Sequence, residues 1–175
     1  MHDLNCPRGI GGDYLRHRRS MNPEQGPIPD CVATQSVQHT IRIHAKPSVV
    51  WNTLVDVAKI AQWMGGAQVE ATWKPGSAIA FTGELHGHPY HDRGTVLACE
   101  PERLLRYNHW SVLSRRDDSE KARTVITLTL TPKRDETMLD VRHDNLRGRA
   151  ALGHARFFWR NALRDIRDMA ESAST

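Results

Sequence analysis

The sequence predicts an α+β domain in which an antiparallel sheet packs against one long C-terminal helix. The first observation is the segment 146–170, where apolar residues recur at helical spacing and form one continuous stripe. The second is that the segments before it are short and carry apolar residues at every other position, as half-buried strands do. The third is that short loops separate them, which is typical of antiparallel hairpins. The helical stripe comprises Leu152, Ala155, Trp159, Ala162, Leu163, Ile166 and Ala170.

A flexible extension over residues 1–35 is predicted to precede one domain over residues 36–172. Glycine, proline and charged residues dominate the extension, and no apolar period is sustained there. Met21 is an alternative start to Met1. We interpret the basic cluster at 16–19 as a solvated segment rather than as an arm for a polyanion, because short charge clusters are usually exposed.

The domain is predicted to begin with a strand and two short helices. Residues 36–45 alternate apolar or histidine side chains with polar ones, which indicates a half-buried strand. Pro47 follows, and a proline is tolerated in the first turn of a helix. A second short helix over residues 57–63 ends before Gly65 and Gly66, which mark a turn.

A block of six strands then leads to the long helix. Their apolar residues keep a period of two, as in the segment 123–132, where isoleucine and leucine alternate with threonine. The segment 86–92, HGHPYHD, is predicted to be the connection between the second and third of these strands. The six predicted strands lie at about residues 67–73, 77–85, 93–101, 103–113, 123–132 and 137–145.

Composition excludes several classes of protein. No apolar run approaches the ~20 residues that span a membrane, and the N-terminus lacks the apolar core of a signal peptide. The net charge of +4 is too mild to predict a nucleic-acid partner. Three cysteines without a CxxC motif indicate reduced thiols and a cytoplasmic location.

Short motifs in a fixed order carry a family resemblance. They are IRIHAKPSVVWNTLVD at 41–56, the turn at 63–65, KPGSAIAF at 74–81, RGTVLACEPERLLRYNHW at 93–110, TMLDVRHDN at 137–145, and the final pair Trp159 and Leu163. Together they resemble the SRPBCC or START-like helix-grip superfamily. Within it, the similar branch contains polyketide-cyclase-like proteins and the activator of the ninety-kilodalton heat-shock protein's ATPase. The chain departs from the usual pattern at Arg106 and Asn108, in a strand that is commonly more apolar, and at Phe158.

The resemblance implies a helix-grip fold. In that fold a curved seven-stranded antiparallel sheet surrounds the long C-terminal helix, and two short helices follow the first strand. It also implies that a ligand binds in a cavity between the sheet and the helix. It implies no particular activity, because the superfamily mixes carriers, cyclases and chaperone regulators.

A group of aromatic and histidine side chains is predicted to face that cavity. Large rings with a few polar groups are typical of a pocket for an organic ligand. Each residue taken alone is better explained by a packed core, but the group and the resemblance together favour a site for a small hydrophobic or aromatic molecule. The predicted ligand-binding residues are Trp51, Trp63, Phe81, Tyr107, His109, His143, Phe158 and Trp159.

An enzyme of the cyclase or dehydratase kind is the alternative. In that case His143 or His109 would act as the acid or base, and Tyr107 would donate a hydrogen bond to a carbonyl. The sequence has no nucleophile elbow, Walker loop, dinucleotide-binding glycine pattern or HExxH motif, so we predict no cofactor.

Three closely spaced histidines, His86, His88 and His91, are a weaker candidate for a metal site. Imidazoles are good ligands for zinc, copper or nickel. However, Gly87 and Pro89 indicate a hairpin turn. We therefore interpret the segment as a mobile, solvated loop rather than a metal site.

The long helix also carries an arginine stripe beside its apolar stripe. We expect these side chains to be solvated or to pair with carboxylates such as Glu70 or Glu84. A third functional hypothesis is that the stripe binds an acidic partner, for example a chaperone whose ATPase the protein regulates. A homodimer is compatible with all three hypotheses. The stripe comprises Arg149, Arg156, Arg160, Arg164 and Arg167.

Overall fold

In a computed structural model, described over residues 34–85, 87–114 and 116–174, the chain forms an antiparallel sheet of seven strands with three α-helices. The predicted α+β helix-grip architecture is confirmed. The extension predicted over 1–35 and the choice between Met1 and Met21 lie outside the described residues, except that Gln35 begins the first strand. The elements are β1 (Gln35–Ile43), α1 (Pro47–Val55), α2 (Val57–Trp63), β2 (Gln68–Ala71), β3 (Ala78–Leu85), β4 (His88–Glu100), β5 (Leu104–Trp110), β6 (Thr124–Lys133), β7 (Glu136–Leu146) and α3 (Gly148–Ser172).

The strand order is β1-β7-β6-β5-β4-β3-β2, with every neighbouring pair antiparallel. Strands β2 to β7 therefore follow one another as hairpins. The segment containing α1 and α2 separates β1 from β2, so the two strands lie at opposite edges of the sheet. Strand β7 lies between β1 and β6, so residues of these two strands flank the inward-facing side chains of β7.

The short helices begin and end where local chemistry requires. Pro47 occupies the first turn of α1, where its missing N–H removes no helical hydrogen bond. Asp56 caps α2, since its Oδ1 accepts hydrogen bonds from the N–H groups of Ala58 (2.9 Å) and Lys59 (3.2 Å). Gly65 and Gly66 follow with φ of 68° and 95°, a left-handed conformation that glycine adopts without strain.

Helix α3 buries the stripe that the sequence predicts. The stripe residues are buried except Leu152, which is half-buried near the start of the helix. Trp159 retains only 2% of its exposure and Ile166 is fully buried, so these two side chains are central to the packing of α3 on the sheet. No helix in the described part of the chain is both long and apolar enough to cross a membrane.

The predicted connection over 86–92 is wrong for most of its length, because β4 already begins at His88. Pro89 is tolerated since β5 ends opposite Arg93, which leaves this part of β4 paired with β3 alone. Tyr90 pairs with Gly83, and its ring occupies the space where any larger residue would place a side chain. The strand pair therefore extends almost to Gly87, and the solvated loop expected there is only a tight turn.

Candidate functional site

A row of residues across the inner face of the sheet positions the site. Tyr107 on β5 lies opposite Ile126 on β6, which lies opposite His143 on β7. The Cα atoms of Tyr107 and His143 are therefore about 10 Å apart, two strand spacings. His109 occupies the next inward position of β5, and Trp159 reaches the row from α3.

His143 is held by a hydrogen bond from the long helix. The indole Nε1 of Trp159 donates to His143 Nδ1 over 3.1 Å, and the two rings meet nearly perpendicular at 86°. Burial, helped by the nearby His109 and His154 and opposed by Asp144, lowers the pKa of His143 to about 4. The ring is therefore neutral at neutral pH. Its other nitrogen, Nε2, is buried and has no hydrogen-bond partner among the described residues.

Tyr107 is a second polar group on this face. The residue retains 6% of its exposure, and burial raises the pKa of its hydroxyl, which remains protonated. Within the described ranges the hydroxyl makes no hydrogen bond. It is therefore able to donate a hydrogen bond to a bound molecule or accept one from it.

His109 is paired with the carboxylate of Asp92, a residue that the sequence assigns to the connection over residues 86–92. Its Nε2 lies 3.3 Å from Asp92 Oδ2, and Asp92 Oδ1 accepts a hydrogen bond from the N–H of Val112 over 3.0 Å. Asp92 is 7% exposed, so it joins β4, β5 and the following turn from inside the protein. Extending the alternation of β4 back from Val96 through Gly94 would have predicted that Asp92 faces inward.

Aromatic rings surround these polar groups. Phe81 lies edge-on to His109, with ring centres 5.4 Å apart, and 6.0 Å from the ring of Tyr107. Phe158 meets Trp159 at 5.0 Å in a perpendicular contact. These contacts involve six of the eight predicted ligand-binding residues, in one group on β3 and β5 and a second group where α3 meets β7. We call them, with Asp92, the inner cluster: Phe81, Asp92, Tyr107, His109, His143, Phe158 and Trp159.

The other two predicted residues, Trp51 and Trp63, make no ring contact with the inner cluster in the described part of the chain. Trp63 donates its indole N–H to the carbonyl oxygen of Thr53 over 3.0 Å, which ties α2 to α1. Trp51 is half-buried against the core. Trp63 therefore has a packing role. The sequence could not distinguish it from Trp159 of the inner cluster, because both tryptophans follow an apolar pattern.

Asn108 explains one departure from the family pattern. Its Oδ1 accepts hydrogen bonds from the N–H of Thr95 (2.8 Å) and from Nη1 of Arg123 (3.3 Å). Next to it, a Cβ on Gly94 would lie 2.0 Å from the Asn108 carbonyl oxygen, so only glycine fits. These contacts set how β4 lies against β5, and thereby aim Tyr107 and His109 inward.

The histidines proposed for metal binding do not converge. His88 and His91 are three positions apart in β4, so their side chains project to opposite faces of the sheet. His86 lies outside the described residues. Among the residues described, no group of three or more histidines, cysteines, aspartates or glutamates could hold a metal ion.

Two arginines of the arginine stripe pair with carboxylates of α3 itself, whereas pairing with carboxylates of the sheet was expected. Arg164 Nε lies 3.5 Å from Asp165, and Arg167 lies 2.8 Å from Asp168, so both pair with their neighbours in α3. Beside them Phe157 is 66% exposed, on the face opposite Trp159. Surface pairs of this kind contribute roughly 0–1 kcal/mol to stability.

Comparison with known proteins agrees with this architecture. Protein ChR145 from Cytophaga hutchinsonii is 29% identical, with a TM-score of 0.68 over 79% of this chain and 95% of that one. The HSP90 activator PFC0360w from Plasmodium falciparum is 19% identical, with a TM-score of 0.60 over 75% of this chain and 92% of that one. DynU16, from the dynemicin biosynthetic locus, is 17% identical, with a TM-score of 0.64 over 79% of this chain and 48% of that one. The last two likenesses show the fold alone.

No match is found among curated proteins. A family model described as Activator of Hsp90 ATPase homolog 1-like protein matches residues 44–171, well over half of the chain. The match covers the two short helices, strands β2 to β7 and nearly all of α3, and it includes every residue of the inner cluster. The chain therefore belongs to the Activator of Hsp90 ATPase homolog 1-like family, within the SRPBCC helix-grip superfamily.

Proposed function

We propose that the protein binds a small hydrophobic or aromatic molecule at the inner cluster, between the sheet and α3. The observation that carries the proposal is the Nε2 atom of His143, which is buried and has no hydrogen-bond partner in the described part of the chain. A buried polar group without a hydrogen bond costs about 1–3 kcal/mol. A molecule that offers such a bond within a group of aromatic rings would recover this cost.

The rings supply the apolar part of the site. Phe81, Phe158 and Trp159 present faces and edges from both β3 and α3, so a flat molecule between them would contact protein on two sides. Organic-ligand sites generally combine such apolar walls with a few polar groups. Tyr107 and His143 are those groups here.

The chain offers a matched pair of variants to test this proposal. Phe158 contacts Trp159 in the inner cluster, whereas its neighbour Phe157 is 66% exposed. Thermal unfolding of the native protein is measured with a panel of aromatic and aliphatic probes, and some of these probes should raise its melting temperature. We expect Phe158→Leu to weaken their dissociation constants several-fold and Phe157→Leu to leave them unchanged. A panel without any binder, or equal losses in both variants, would count against the proposal.

Acid–base catalysis is a second candidate, favoured by the pairing of His109 with Asp92 at 3.3 Å. A buried carboxylate within reach of an imidazole fixes the orientation of the ring, as a catalytic acid or base requires. His143 is less suited to act as a base, since its Nδ1 is occupied by Trp159 and its pKa falls to about 4. If the protein is an enzyme, His109 is the residue we infer to move the proton.

Proton abstraction next to a carbonyl gives a direct test. Exchange of the α-hydrogens of 1-indanone in D₂O can be followed by NMR with and without protein. We expect exchange faster than in buffer, lost in His109→Gln and retained in His143→Gln. Exchange no faster than in buffer would contradict the enzyme hypothesis and leave the binding proposal standing.

We also infer a reducing, cytoplasmic location. Cys99 is a free, half-buried thiol in β4, and its pKa is raised by burial, so it is poorly reactive. Mass spectrometry of the protein from cell extracts alkylated at lysis should find this thiol unmodified. A mixed disulfide at Cys99 would argue otherwise.

A further inference from the structure

We propose that the molecule bound at the inner cluster is a neutral aromatic carbonyl compound, whose oxygen accepts a hydrogen bond from Nε2–H of His143. This inference rests on the proposed function, since it names the class of ligand for that same site. Three features of the site select this class: the nitrogen of His143 that carries the proton, the way the ring is held, and the polar groups that remain for a ligand.

The hydrogen bond from Trp159 decides the tautomer of His143. An indole N–H can only donate, so His143 Nδ1, 3.1 Å away, must be the acceptor and carry no proton. In a neutral imidazole the proton then resides on Nε2. The buried atom without a partner is therefore a donor. What it lacks is an acceptor.

The direction of this donor is fixed from both sides. His143 belongs to a strand that is paired on both edges, opposite Val37 of β1 and Ile126 of β6. Trp159, only 2% exposed, anchors the other side of the ring. A hydrogen bond to one nitrogen of a histidine orients the other nitrogen, so Nε2–H is aimed before any ligand arrives.

The remaining polar groups favour a neutral acceptor. The hydroxyl of Tyr107, in the same row of the sheet, is able to donate a second hydrogen bond. His109 already engages the carboxylate of Asp92 over 3.3 Å, so these two side chains are occupied by each other. A charged ligand would be costly to desolvate here, because the described side chains of the cluster offer it no unpaired opposite charge. A carbonyl on a flat apolar frame satisfies both donors without adding charge.

Ring-matched probes test the inference. We would measure dissociation constants by calorimetry for 9-fluorenone against fluorene, and for 1-indanone against indane, because each pair differs only in the carbonyl. Satisfying a buried donor should make each ketone bind about tenfold more tightly than its hydrocarbon. We expect His143→Phe to remove this preference while the hydrocarbons still bind, and Phe157→Leu to preserve it.

The tautomer has its own readout. Two-bond ¹H–¹⁵N correlation spectra of the native protein should show His143 with its proton on Nε2 and a bare Nδ1. This measurement needs no variant, so it remains decisive if His143→Phe does not fold. A proton on Nδ1 would overturn the inference.

The outcomes separate the two proposals. Ketones and hydrocarbons that bind equally well would overturn the carbonyl inference and leave the hydrophobic site intact. If a water molecule alone accepts the hydrogen bond from Nε2–H of His143, ketones and hydrocarbons would likewise bind equally well. If no probe of either pair binds, the proposed function fails, and the carbonyl inference fails with it.

Discussion

Replacing His143 by glutamine should change how the stability of the protein depends on pH. Burial lowers the pKa of His143 from 6.5 to about 4 in the folded protein. Between these values the unfolded chain binds more protons than the folded one, so stability is complete above about pH 6.5 and is lost as the pH falls toward 4. At about 1.36 kcal/mol for each unit by which the pKa falls, the loss due to this residue is about 3 kcal/mol.

Urea unfolding at a series of pH values from 4 to 7.5 measures this effect. Carboxylates titrate in both proteins and largely cancel, so the informative quantity is the difference in free energy of unfolding between the native protein and His143→Gln. We expect the variant to be less stable at pH 7.5, because the hydrogen bond from Trp159 is disturbed. That deficit should shrink by about 3 kcal/mol, or reverse, near pH 4.

The control is His91→Gln, which changes an exposed histidine of β4. Its stability should run parallel to that of the native protein across the whole pH range. Parallel curves for His143→Gln as well, within about 0.5 kcal/mol, would refute the reasoning. They would mean that His143 is not held neutral by burial.

Three further predictions concern positions outside the inner cluster, each measured as the free energy of unfolding in urea. Gly94→Ala should destabilise the protein by more than about 2 kcal/mol, because the new Cβ would lie 2.0 Å from the backbone oxygen of Asn108. The control, Gly153→Ala in α3, has open space around it and should stabilise the protein by up to about 1 kcal/mol. Equal effects of the two substitutions would contradict the close approach of β4 and β5. Thr137→Val should cost about 1–3 kcal/mol, because the buried hydroxyl donates over 2.7 Å to the carbonyl that precedes α1 by two residues, and Thr137→Ser should recover most of it. Asp56→Ala should cost about 1 kcal/mol through loss of the cap of α2, and an unchanged midpoint would show that the cap is dispensable.

The inner cluster combines a packed framework with groups whose hydrogen-bonding capacity is incomplete. Asp92 accepts a hydrogen bond from Val112, and beside the cluster Asn108 and the close approach at Gly94 hold β4 and β5 in register. His143 and Tyr107 each retain a polar atom without a partner among the described residues. Buried polar groups in folded proteins are nearly always hydrogen-bonded, so the Nε2 atom of His143, buried without a partner among the described residues, points to a binding site.

The helix-grip architecture follows from the sequence because it depends on periodicity. The stripe from Ala155 to Ala170 needs only helical spacing to define a buried face, and the alternation in β6 needs only a period of two. Pro47 and the glycines after α2 set boundaries through their own backbone chemistry. These are local properties, so they are predictable without knowing what lies opposite. The error at residues 86–92 arose where a contact between strands, Tyr90 over Gly83, overrode local turn propensity.

Most of the rings of the candidate site could be predicted, but Asp92 and the pairing of the polar groups could not. Strand phase placed Phe81, Tyr107, His109 and His143 on the inner face, as the structure has them. Only the tertiary structure decided that Trp159 donates to His143 Nδ1 and that Asp92 pairs with His109. Such contacts depend on strand register and on how α3 crosses the sheet, and both are set by the packing of many side chains from distant segments. Sequence therefore determined which rings of β3, β5 and β7 face inward, whereas the packing of α3 against β7 decided that His143 has one occupied nitrogen and one without a partner among the described residues.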